Sequence, residues 1–167
     1  MARVAFSRDE IKHVFNEYVF GFMTHDIERV IARSDTGPSE NMLAALGLLT
    51  YTEFMGWFVR RASNVKRAKN EDQAGFDFFF RRLGPAYAEL LDGGLNVYRD
   101  FRSSLVHEYA IRKAFEVDLP GRQAACGIYL DQEEGRYHIA CGRYFADFRL
   151  ACRAAYRELT GGEPPTS

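Results

Sequence analysis

The sequence predicts a mainly α fold: a compact bundle of five to seven helices, followed by a small C-terminal β-hairpin and a last helix. Three observations carry this. Apolar residues recur at helical spacing through most of the first 110 positions. The period changes to strict alternation only between Cys126 and Cys141. Capping residues, Pro and Gly punctuate the chain at intervals suited to short connections. A length of 167 residues fits a single domain, 1–167, large enough to bury a core without disulfide or metal staples.

Ser7-Arg8-Asp9-Glu10 has the pattern of a capping box, a hydroxyl at the helix start and a carboxylate three residues on. Ile11, Val14, Phe15, Tyr18, Val19 and Phe22 follow at helical spacing, and a second short helix fits Thr24 to Arg33. After the loop Ser34–Ser39, a helix through Asn41–Arg61 is apolar around most of its circumference and is expected at the centre. Ala44, Ala45 and Gly47 should let a neighbouring helix come close. Ser63 to Gly75 is polar and reads as a mobile segment. Helices then fit Phe76–Leu83 and Pro85–Leu91, the second with Pro in its first turn. Gly93-Gly94 breaks the chain before a helix from Leu95 to about Tyr109.

In the C-terminal part the alternation predicts a hairpin at about 123–141 with its loop at Gln132–Gly135, and an extra strand near Phe115–Leu119. The register places Leu130 opposite Tyr137, Ile128 opposite Ile139 and Cys126 opposite Cys141. These six should pack on the helices, while Tyr129, Asp131, Arg136 and His138 face water. A helix at about 143–159 ends at Gly161-Gly162.

Composition narrows the function classes. A formal net charge of −1 argues against a partner held by the charge of the whole molecule, while leaving room for a local basic patch. No apolar run is expected to reach the ~18 residues of a membrane helix, and Met1–Phe6 lacks a secretory h-region. Three cysteines without C-x-x-C spacing fit a reducing compartment, so a cytoplasmic location, reduced thiols and no membrane association are expected. His13, His25 and His138 lie on separate elements without H-x-x-x-H spacing, and no P-loop, dinucleotide fingerprint or G-x-S-x-G elbow is present. No metal and no cofactor are expected; a metal site would have to be assembled in space.

The candidate chemistry lies in Asp100-Phe101-Arg102-Ser103-Ser104-Leu105-Val106-His107-Glu108-Tyr109. On a straight α-helix Arg102 shares a stripe with Tyr98, Leu105 and Tyr109, and His107 lies ~140° and ~7.5 Å away. The two could line one groove where the helix ends, or across a two-fold axis. Arg102 could hold phosphate oxygens, His107 could move a proton, and Ser103 could orient either. The bland alternative is a structural, paired arginine and an ordinary helix-end histidine. Arg60, Arg61, Lys66, Arg67 and Lys69 form a basic run without an acid inside it, a candidate phosphate-tracking face or simply a solvated loop. The aromatic run Phe76, Phe78, Phe79 and Phe80 is expected in the core rather than as a base-stacking platform.

Arg, a small polar residue, three more residues and then His, late on a helix, resembles the R-x4-H motif of HEPN domains. This family commonly carries Asn, Asp or His where this chain has Ser103. The resemblance covers roughly residues 7 to 110, with the hairpin and last helix as an addition. It implies an RNA-binding protein or a metal-independent endoribonuclease with Arg102, His107 and Ser103 in the site. It also implies a homodimer that brings two motifs together, and a toxin–antitoxin setting with an antitoxin-type protein partner. The competing class is a non-catalytic helical interaction or ligand-binding protein of the same fold.

Overall fold

The computed structural model describes residues 6–32, 38–103, 115–118 and 124–165. The order is α1 (Arg8–His13), a π-helical stretch π1 (Val14–Met23), α2 (Thr24–Ala32), α3 (Pro38–Ala62), α4 (Glu71–Phe80), a 3-10 turn (Arg81–Leu83) and α5 (Pro85–Asp92). Then come π2 (Tyr98–Ser103), β1 (Phe115–Asp118), β2 (Ile128–Asp131), β3 (Arg136–Ala140) and α6 (Cys141–Thr160). The fold is mainly helical, a compact bundle with a small sheet and a C-terminal helix.

The capping box forms as read: the Ser7 hydroxyl accepts from the Glu10 backbone N–H, and the Glu10 carboxylate accepts from Ser7 N at 2.7 Å. α3 is the central helix. Ala44, Ala45, Leu48, Leu49, Met55, Phe58 and Val59 are all buried along it. By length and composition alone Met42–Ala62 could cross a membrane, which corrects the expectation that no run is long enough; half of its apolar window is buried inside this fold. Its close approach to α4 falls at Gly56, against Gly75. Gly47 admits Ile27 of the neighbouring helix α2, as its small size suggests.

The segment Ser63–Gly75 is only partly a loop. Helix α4 starts at Glu71, capped by the Asn70 side chain, which accepts from Gln73 N. The polar residues Glu71 to Gln73 are its first turn, so the helix begins five residues before Phe76. Three of the four aromatics, Phe76, Phe79 and Phe80, are core residues.

The sheet has the order β1-β3-β2, with β1 parallel and β2 antiparallel to β3. The hairpin register is the one the alternation predicts where the strands pair, with Ile128 opposite Ile139, Leu130 opposite Tyr137 and Asp131 opposite Arg136. The ladder is shorter than expected: Cys126 precedes β2 and Cys141 is the first residue of α6, so the expected Cys126–Cys141 strand pair does not form. Two exposures depart from the expectation. Leu130 is exposed, on edge strand β2. His138 is fully buried rather than facing water. It sits on the central strand, level with Glu116 of β1 and Tyr129 of β2, with the Tyr129 ring stacked on its own. Cys126, Cys141 and Cys152 are buried free thiols.

Helix α6 is tied to the rest by buried polar bonds. Its Tyr144 hydroxyl lies 2.9 Å from that of Thr52 on α3. Tyr87 of α5 donates to Asp147 of α6 at 2.8 Å and accepts from Gly127 N at 2.7 Å. Burial, with the Asp147 carboxylate beside it, pushes the Tyr87 phenol far up from its ordinary value.

Candidate functional site

Of the proposed motif, Arg102 and Ser103 are described; His107 lies outside the described residues. The helix carrying them opens with Asn96, whose side chain accepts from Arg99 N at 2.9 Å. It begins at Tyr98 rather than Leu95, and it winds as a π-helix, so its hydrogen bonds run i to i+5 and the α-helical stripe is altered. Asp100 and Phe101 face inward and are buried. Phe101 meets Tyr137 of β3 edge-on, with ring centroids 5.7 Å apart.

Arg102 comes out of this turn half-buried, and its Nε is paired with the Glu53 carboxylate of α3. The guanidinium also lies over the Tyr98 ring, 5.4 Å from its centroid. Only 16% of the Arg102 side chain and 18% of the Glu53 side chain are exposed, so this ion pair is shielded from salt far better than a surface pair. Burial raises the Glu53 pKa; Arg102 lowers it and Asp72 adds a smaller upward push, leaving it net above its ordinary value.

The pair forms one wall of an open cleft of about 230 Å³, completed by Thr50, Phe54, Trp57 and Asp72. The cleft thus offers one arginine, two carboxylates and two aromatic faces. Glu53 was not among the residues singled out from sequence. Its signal was available, since it is the one charge between Met42 and Val59 in an otherwise apolar helix. A lone carboxylate in such a place calls for a cation opposite.

The basic run divides. Arg60 is buried, its NH2 donating to the Lys66 carbonyl at 3.0 Å and its Nε 3.8 Å from Glu71, so it braces the α3–α4 loop. Arg61 is exposed and stacks on Trp57, 4.8 Å from the ring centroid. Lys66, Arg67 and Lys69 are exposed on the loop. Arg61 therefore lies beside the cleft through Trp57, which lines it. No family model, curated protein or solved structure matches this chain.

Proposed function

We propose that the chain is a HEPN-like RNA-binding protein whose Arg102–His107 motif makes it a metal-independent endoribonuclease, acting as a homodimer in the cytoplasm. The observation that supports this reading is the setting of Arg102. Its Nε is committed to Glu53 and its plane to Tyr98, on the wall of an open cleft. Bidentate phosphate recognition uses the two terminal nitrogens of a guanidinium, and an arginine braced through Nε is pre-organised for it.

In the proposed reaction a ribose 2′-oxygen attacks the adjacent phosphorus and the bond to the 5′-oxygen breaks. His107 accepts the 2′-proton or supplies the one the leaving oxygen needs. Arg102 neutralises the charge that builds on the non-bridging oxygens, and Ser103 orients the phosphate. Arg61, Lys66, Arg67 and Lys69 would follow the strand on either side. Arg60 is assigned no such role. An antitoxin-type protein partner belongs to the same proposal through the resemblance alone.

The pairing of Arg102 with Glu53 also favours a second reading, a non-catalytic helical interaction or ligand-binding protein in which the arginine is structural. Incubating total RNA with wild type, Arg102→Ala and His107→Ala in EDTA separates the two. Nuclease action gives 2′,3′-cyclic phosphate ends and losses on the order of a hundredfold in each variant. If wild type leaves RNA intact, or the variants cleave as well as wild type, the nuclease proposal fails.

A further inference from the structure

We propose that Glu116, Glu134 and His138 form a binding site for one divalent cation of the zinc or manganese class, on the face of the sheet turned away from π2. Side chains alternate along a strand, and Tyr137 is the residue that meets Phe101 of π2. Its neighbour His138 therefore points to the opposite face, as do its register partners Glu116 and Tyr129.

Three potential ligand atoms, one from each residue, lie within 4.8 Å of one another. They come from three separate backbone positions: β1, the hairpin turn and β3. The backbone N–H groups of Glu133 and Glu134 both bond to the Asp131 carboxylate, at 2.8 and 3.1 Å, which fixes the turn from which Glu134 reaches back. The imidazole is fully buried and its plane is set by the stacked Tyr129 ring, with centroids 5.1 Å apart.

One distance separates a metal site from a plain ion pair. His138 Nε2 and Glu134 Oε2 stand 3.5 Å apart. A charge-assisted hydrogen bond closes to about 2.7–2.9 Å. Two ligands of a tetrahedral ion, each held at about 2.0–2.2 Å, stand about 3.3–3.6 Å apart. The observed spacing is nearer the second geometry. Glu116 completes the set by a side-chain rotation that its exposure permits. One imidazole nitrogen and two carboxylates suit zinc or manganese, with the solvent side left for water. Such an ion would clamp β1 to the hairpin. It would stand behind the sheet from Arg102, and so it is compatible with cleavage that needs no metal.

The test titrates the full chain, stripped of metal, with Zn²⁺ and separately with Mn²⁺ by calorimetry, alongside thermal melts. Manganese is included because it disfavours thiolate ligands, so its binding is not attributable to the cysteines. The expected result is one ion per chain, and a Tm rise on the order of 5–10 °C at about a hundredfold excess over Kd. The variant is Glu116→Gln with Glu134→Gln. Both side chains are exposed, so the fold survives, unlike with a change at buried His138. It should bind at least about tenfold more weakly and lose the Tm rise. If neither ion binds saturably to wild type, or the double variant binds as tightly, the site does not exist.

Discussion

Gly56→Ala is the sharpest test of how α3 and α4 are held together. The added Cβ would stand 1.7 Å from the Gly75 carbonyl oxygen and 2.3 Å from its carbonyl carbon. A carbon–oxygen contact settles at about 3.3 Å, so the helices would have to part by about 1.6 Å. The obstacle is backbone, which no rotamer change can move. Alanine gains about 1 kcal/mol over glycine inside a helix. Against that stands overpacking, at the upper end of its usual range of about 1–3 kcal/mol or beyond it. Loosened contacts of Met55, Val59, Phe76 and Phe79 add to the loss, since all four are buried. The net expectation is a loss of about 2–4 kcal/mol, or a Tm lower by about 5–15 °C for a domain of this size. Gly47→Ala is the internal control. It has the same propensity gain, but its Cβ would meet only the Cδ1 of Ile27, at 2.8 Å, the movable end of a flexible side chain. It should stay within about 1 kcal/mol of wild type. Thermal and urea denaturation followed by circular dichroism reads both. If Gly56→Ala melts no lower than Gly47→Ala, the close helix approach is wrong.

Three further outcomes follow from the site and its supports. Carbon-13 NMR titration should find the Glu53 carboxyl above its ordinary 4.5, and Arg102→Ala should raise it further, since the guanidinium is what lowers it; a value at or below 4.5 contradicts the burial argument. Because folded Glu53 holds its proton to higher pH than unfolded Glu53, its contribution to stability falls as pH rises through the folded pKa, and Glu53→Gln should abolish that dependence. Tyr87→Phe removes one hydroxyl and leaves the Gly127 N–H without its acceptor, while Asp147 keeps the Arg143 Nε at 2.9 Å, so it should lower the urea midpoint by the equivalent of about 1–3 kcal/mol at unchanged m; a shift under about 0.5 kcal/mol would mean water replaces the hydroxyl.

Much of the fold was legible because local chemistry and burial agree. Ser7 with Glu10, and Pro85 in the first turn of α5, mark helix starts by mechanisms that act within one turn. The hairpin register followed from alternation across a four-residue turn. The misreadings share a cause. Glu71 to Gln73 read as loop because an exposed first turn is polar in any case; the Asn70 cap was the clue. His138 read as solvent-facing because alternation gives the face of a strand, while burial depends on the strands beside it. The role of Glu53 is not legible locally, because its partner lies 49 positions along the chain and no local pattern encodes that pairing.

The C-terminal sheet bears on the placement of Arg102. Phe101 sits between Asp100 and Arg102, and its ring is seated edge-on against Tyr137 of the central strand. Tyr98, one turn back, is held by Phe76 of α4 at 5.7 Å between centroids. The guanidinium is thus placed by a short turn whose apolar side is fixed at two points, by α4 and by the sheet, while Glu53 of α3 fixes its polar end. A π-helical turn spaces its residues for i to i+5 contacts and is stable only when tertiary packing holds it. Three separate elements hold this one. Whatever Arg102 does chemically, its direction depends on the C-terminal sheet as well as on the bundle, and a chain cut before β1 would keep the motif's sequence without its seat.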